Sequence, residues 1–469
     1  MSESIAEMVI PGTYIEVRAE GLIGVGAIAT GNIGIVGTSS RGPVEEVVAL
    51  GSYAEAVDAF GPYDAFSAPT VENRPLTLVR ALEQAFAGGA RNVFAVRVAN
   101  GAPTPATLDV RAAGAQPAFT LTARGAGTWG RHVRVVVKSE TVSGVTTWTL
   151  TLTYRNVKET FSGANVGDVR GALAGSTLVT VGTAQNASSG FDPIDTTLQG
   201  GSDGAAATAV DIGRGLAALE QQPVNILLVA GEASNVVGNA VLGHLERTEN
   251  DGRERIAVLG ARGSGTPTAA ADVEADADAV SDDRVVLCAP GIISTDAASG
   301  ADVTLPPAYL AAVIAGKLAT LAPHVSLTNK SVPVTPAVRY SSALTQRLLG
   351  KRVLIVRQKF GAQVLKGITT SEKPFDQISI RRIVDYAKAG VRAGSDPYIG
   401  RLNNARVRAA LKATLDGFLS QMILDEMLVS YELDVTATRS QEINGIAAVT
   451  MTLRPTFSID YIRVTMNLE

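Results

Sequence analysis

The spacing of hydrophobic positions changes twice along the chain. From residue 21 to 100 two apolar runs, IGIVG and NVFAVRVA, bracket two helical segments, SYAEAVDAFG and LTLVRALEQAFAGG. Gly88 and Gly89 stop the second helix, so the stretch predicts a strand, helix, strand layer. From Ala102 to Gln199 the pattern becomes short alternating pieces, FTLTAR, HVRVVVKSE and TTWTLTLTY, with no strong helix before DVRGALAG. Alternation at period two with frequent turns predicts a β-rich inserted domain over 102–199. Beyond the linker LQGGSDGAAA, the continuous apolar runs NILLVAG, RIAVLGA and RVVLCAPGI are separated by helical stretches. Strands without polar alternation are covered on both faces, which predicts a parallel α/β sheet in a middle domain over 200–338. PPAYLAAVIAGKLATLAP adds a helix opened by prolines and closed by Pro323.

The last quarter holds the strongest helix. In NNARVRAALKATLDGFLSQMILDEML, Val407, Leu411, Leu415, Phe418, Met422 and Ile423 recur at helical spacing, and Asn403 or Asn404 can cap the start. Strand patterns follow in YELDVTA and IAAVTMTLRP, completing a domain over 339–456. In the final FSIDYIRVTMNLE, Ile462, Val464, Met466 and Leu468 alternate with polar neighbours, a strand pattern in the arm 457–469. Near the other end, VIPGTYIEVRAE alternates in the same way, setting Tyr14 apart from Ile15 and Val17, so residues 1–20 form a strand-competent arm leading into the domain 21–101. The expected class is multidomain α/β.

Charge is distributed unevenly. Sixteen Lys or Arg lie between Arg339 and Lys412 against four acids, a net of +12, so the remainder of a chain of net charge −4 carries −16. Such asymmetry points to an acidic partner. In the long helix Arg406, Arg408 and Lys412 precede Asp416 and Asp425, against the helix dipole, which suggests a contact role rather than local stabilisation. One cysteine, Cys288, excludes an intramolecular disulfide and reads as a buried small hydrophobe in RVVLCAP. MSESIAEM has no apolar core of a signal peptide, and the uncharged run after Glu20 is too rich in glycine for a membrane span.

Catalytic signatures are missing. Gly316-Lys317 and Gly350-Lys351 lack the flanking pattern of a phosphate loop, and neither Gly24-Val25-Gly26 nor GARGSG has dinucleotide-binding spacing. His132, His244 and His324 stand in three separate regions and read as surface or turn residues. Asp272, Glu274, Asp276 and Asp278 start like a calcium loop, but Ala277 occupies the turn position, so they read as a solvated acidic helix. Trp129 in GTWG reads as a packing residue at a turn. No catalytic residue, cofactor or metal site is expected. Two alternatives stay open on the residues alone: a nucleic-acid contact through the basic block 339–412, and a Rossmann-like enzyme with its site in 206–293.

Several stretches resemble one family. PGTYIEV, IGIVGTSSRGPVEEVVALGSYAEAVDAFG, LVRALEQAFAGGARNVFAVRVA and ARGAGTWGRHVRVVV, then GKRVLIVRQKFGAQVLKGITT, FDQISIRRIVDYAKAGV and RPTFSIDYIRVTMNLE, are similar in content and order to contractile tail sheath proteins of phages, R-type bacteriocins and related injection systems. The resemblance implies a structural subunit that polymerises helically around an inner tube protein. It also implies baseplate and terminator or cap proteins as partners, without direct nucleic-acid binding or membrane insertion. Assembly in the bacterial cytoplasm and release in a virion tail or extracellular particle would follow. By the same resemblance, arms 1–20 and 457–469 cross to neighbouring subunits, with Tyr14, Ile15, Val17, Ile462, Val464, Met466 and Leu468 as candidate strand residues. The C-terminal domain would lie innermost, with Arg401, Arg406, Arg408 and Lys412 as candidates for touching the tube.

Overall fold

A computed structural model describes residues 28–68, 75–263 and 270–468. The chain forms two compact units. The larger comprises Gly31–Leu321 and Leu327–Asp376; the smaller includes Ala322–Ser326 and the chain from Gln377.

In the larger unit, β1 (Ile33–Gly37), β2 (Val47–Leu50), α1 (Tyr53–Phe60), α2 (Leu78–Gly88) and β3 (Val93–Arg97) form the expected first layer. An excursion follows, built of β4 (Thr104–Ala112), β5 (Gln116–Ala123), β6 (Arg134–Val142), β7 (Val145–Tyr154), β8 (Val157–Gly163), α3 (Val166–Ala172), β9 (Val179–Val181), β10 (Ile194–Thr197) and β11 (Gln199–Ser202). Its strands pair as two antiparallel sheets, β10-β6-β7-β8 and β11-β4-β5-β9. One hydrophobic cluster joins Phe119 and Leu121 to Val135, Leu150 and Leu152 around the fully buried Trp129. Trp129 stacks edge-on against Tyr154, as a packing residue does.

Returning to the body, the chain adds α4 (Ala209–Leu219), β12 (Ile226–Val229), α5 (Ser234–Asn250), β13 (Ile256–Gly260), α6 (Ala270–Ala279), β14 (Val285–Ala289), β15 (Ile292–Thr295), β16 (Asp302–Leu305), α7 (Pro307–Ala319), β17 (Thr335–Pro336), α8 (Ser342–Gly350), β18 (Leu354–Lys359) and β19 (Gly361–Val364). The principal sheet has the order β19-β18-β14-β13-β12-β1-β3-β2. It is parallel from β18 to β3 and ends on each side in an antiparallel strand. Continuous burial of β1, β12, β13 and β14 fits strands covered on both faces.

Two boundaries read from the sequence are corrected. Residues 21–101 and 200–338 do not make separate sheets, because β1 lies between β12 and β3. Nor does the C-terminal unit begin at Arg339: Leu354 pairs with Cys288, and the division falls at Gln377. The apolar start of β18 extends the parallel sheet, a pairing that a count of charges along the chain does not show.

The inserted sheets are fastened to the body by a buried cation. Arg97, fully buried, donates to the carbonyls of Gly42 and Ala126, each at 2.9 Å. Its guanidinium is 3.6 Å from Asp203, which accepts from Thr128 N and Oγ1. Gly127 (φ 132°) lies against Ser40, where a Cβ would fall 1.9 Å from the carbonyl oxygen. The turn therefore needs glycine for both its conformation and its closeness.

A second close approach lies between α2 and α7. A Cβ on Gly316 would sit 2.1 Å from the carbonyl oxygen of Ala85, and one on Gly88 would sit 2.3 Å from that of Val313. The Gly-Lys pair that fails as a phosphate loop is thus a helix-packing position. Gly316→Ala is expected to lower stability by about 1–3 kcal/mol through overpacking, although alanine favours an isolated helix. A thermal melt against wild type measures it.

The smaller unit contains α9 (Ile378–Ser395), α10 (Ala405–Leu424), β20 (Leu428–Thr436), α11 (Arg439–Ile443) and β21 (Ala448–Pro455). Asn404 is the cap of α10, its side chain accepting from Val407 N at 2.9 Å. Leu411, Leu415 and Met422 are buried as expected; Leu419 joins them, while Ile423 is 37 % exposed. The buried stripe therefore turns slightly from its sequence assignment. β20 and β21 form a two-stranded antiparallel sheet beside α10.

Candidate assembly surfaces

Much of the basic block is neutralised within the chain. Arg347 pairs with Glu274 at 2.5 Å and Lys351 with Asp278 at 2.8 Å, both acids lying on α6. Arg262 reaches Asp276 of the same helix at 2.5 Å, and Asp276 also accepts from Arg262 N. The acidic run is therefore not the solvated helix expected from sequence. Asp276 is fully buried, Asp272 lies 3.6 Å from Arg262, and Glu274 and Asp278 meet cations 73 positions later, a pairing invisible to local reading. In α9, Arg381 pairs with Asp385 at 2.8 Å, while buried Arg382 donates to the carbonyls of Thr30 and Ala322. Burial pushes the Arg382 guanidinium down to about 10. Part of the block's charge is therefore met by acids and carbonyls of the same chain.

The four candidates for tube contact divide. Arg408 turns inward, 3.0 Å from Glu442 and 2.8 Å from the Asn403 side-chain oxygen. Together Arg439 and Arg408 hold Glu442 below the usual carboxylate range. An ion pair thus explains the basic residue at Arg408 that the helix dipole disfavours. Lys412 meets Asp434 at 3.3 Å with both side chains about half exposed. Arg401 and Arg406 face solvent. Arg401 donates to Pro397 O and lies over the Tyr398 ring, while Arg406 makes no ion pair among the described residues.

After β21 the chain is held at a few points. Thr456 N donates to Met427 O at 3.1 Å, and Ser458 N donates to Gln377 Oε1 at 3.2 Å. Gln377 Nε2 in turn donates to Asp460 at 3.0 Å. Beyond this clasp, Ile462 is 82 % exposed, Val464 73 %, Met466 85 % and Leu468 99 %. Residues 456–468 form no strand with the described residues. Four apolar side chains exposed at alternate positions are unusual for a surface. Sequence reasoning found these residues but not Gln377, whose role depends on a neighbour 81 positions away. The N-terminal candidates Tyr14, Ile15 and Val17 lie outside the described residues.

Other candidates have settled places. Cys288 is fully buried in β14, and burial pushes its thiol up. His244 is not the surface residue expected: it is fully buried, with Nε2 3.0 Å from Arg255 Nη1. Burial, then Arg255 and Arg247, depress it to about 3, so it is neutral near pH 7. Among the described residues no group of three or more His, Cys, Asp or Glu is placed to hold a metal, and no helix is long and apolar enough to cross a membrane.

Comparison with known proteins places these features in one context. Residues 370–469 match the model of the phage tail sheath C-terminal domain. The tail sheath protein of Mycobacterium phage Bxz1 is 23 % identical over 257 residues, covering 52 % of this chain and 43 % of that relative. The chain thus matches less than half the length of this curated relative. Among solved structures, the sheath tail protein of Desulfitobacterium hafniense superposes with a TM-score of 0.68 at 17 % identity, covering 95 % of this chain and all of that one. The contracted sheath of PVC, an extracellular contractile injection system, gives 0.59 at 13 % identity, with 98 % of each chain covered. Residues 370–469 are therefore similar to the phage tail sheath C-terminal domain, and the chain carries, over nearly its whole length, the fold of these sheath structures.

Proposed function

We propose that this chain is the sheath subunit of a contractile tail or injection particle. Copies polymerise helically around an inner tube protein, attach to baseplate and terminator proteins, and contract to drive the tube through a target envelope. The subunits are made in the bacterial cytoplasm and leave in a virion tail or extracellular particle. The observation that carries this reading is the exposed apolar alternation of Ile462, Val464, Met466 and Leu468, which follows a sheet with two strands among the described residues. A two-stranded sheet leaves backbone groups free along its edges, and a strand-competent tail from another copy can pair with them. Backbone pairing links subunits firmly, while the short segment after Asp460 acts as the hinge about which rigid bodies rotate. Arg401 and Arg406 are the residues proposed to meet an acidic tube, with Lys412 as a weaker contributor. Exposed pairs of this type are individually worth ~0–1 kcal/mol, which suits a surface that must release. No nucleotide enters this scheme: new contacts between subunits drive contraction.

Deleting residues 457–469 tests the reading. Negative-stain electron microscopy of the purified chain is expected to show tubes or rings that are lost on truncation. A dispersed monomer with and without the tail would overturn it.

A further inference from the structure

The basic residues of the larger unit are not all neutralised. Arg347, Lys351, Arg352 and Lys366 each meet an acid of the same chain. Arg339 and Arg357 do not: both are exposed, and neither side chain has a hydrogen bond or ion pair to a described residue. Both line one cleft of about 420 Å³ between α8 and β18. Its walls include half-buried Leu349 and Leu365 and buried Ile355, so cationic groups and apolar surface share one cavity. At the adjoining turn between β18 and β19, Phe360 is 89 % exposed beside Lys359.

We propose that this cleft receives an acidic segment from a second copy of the chain, a carboxylate meeting Arg339 and Arg357 while an apolar side chain rests on Leu349 and Leu365. The cavity is in the size range of built binding sites, roughly 300–1,000 Å³. Charge complementarity identifies the occupant: residues outside 339–412 carry a net −16, so a neighbouring copy presents the opposite sign. This inference rests on the sheath reading, in which every copy meets identical neighbours, but it concerns the body of the subunit rather than its arms. Phe360 and Lys359 extend the same contact beyond the cleft.

The test compares full-length wild type with the double variant Arg339→Ala/Arg357→Ala. Neither arginine has an internal partner, so the melting temperature should not move. The critical concentration for polymerisation at low salt should rise about tenfold, and its dependence on salt should flatten. Arg339→Lys/Arg357→Lys should retain most of the salt dependence. Polymerisation of the alanine variant at the wild-type concentration, with the wild-type salt response, would overturn this contact alone. Wild type that never polymerises would overturn the sheath reading and the contact with it.

Discussion

Asp296→Ala is expected to destabilise the larger unit by about 3–5 kcal/mol, the cost of leaving a buried cation without its partner. Asp296 and Arg80 meet at 2.8 Å with side chains 0 % and 1 % exposed. The carboxylate also accepts from Phe66 N at 3.0 Å and Ser299 Oγ at 2.9 Å, while Arg80 donates to Asp64 O and lies 4.0 Å from the Tyr63 ring centroid. This cluster ties the loop after α1 to α2 and to the turn following β15. Burial alone would push the Asp296 carboxyl up, but the hydrogen bonds from Phe66, Arg80 and Ser299 outweigh it and hold the group below its ordinary value. Its stabilising contribution is therefore present above the ordinary aspartate value of 3.8 and is lost as pH falls through the lower folded value. Urea denaturation at pH 7 should show a lower midpoint for Asp296→Ala. The difference between variant and wild type should narrow toward pH 2. An unchanged midpoint at pH 7 would mean that the pair contributes nothing net.

The second large effect is on assembly rather than folding. Ile462→Asp combined with Val464→Asp should leave the melting temperature of the monomer where it is, because both side chains are already in water. Polymer should nevertheless disappear, since a charge placed on the buried face of a donated strand carries a desolvation cost of several kcal/mol at every link. Arg463→Ala and Thr465→Ala, at the intervening positions, should be tolerated. Sedimentation of the three proteins separates the outcomes: equal loss in all of them would show that the tail does not act as a strand with two distinct faces.

Some of this was legible in the residues and some was not, for identifiable reasons. Period-two and continuous apolar patterns located the inserted sheets and β12 to β14, because burial on one or both faces imposes those patterns directly. Asn404 and the α10 stripe were readable because capping and helical spacing are local. Arg97, Arg255 and Arg382 were not, since a buried arginine looks like a surface arginine until the carbonyls around it are known. The charge excess after Arg339 misled most: it was counted along the chain, whereas α6 neutralises part of it across space. The exposed tail was legible in another sense, for its period-two alternation is local and pairs with no strand among the described residues.

Helical reconstruction of the polymer by electron cryomicroscopy tests the central claim most directly. The expected map shows residues 462–468 of one copy as a strand hydrogen-bonded to the sheet of β20 and β21 in a neighbouring copy. A polymer in which that segment folds back onto its own subunit, or runs unpaired through solvent, would contradict the strand-exchange account.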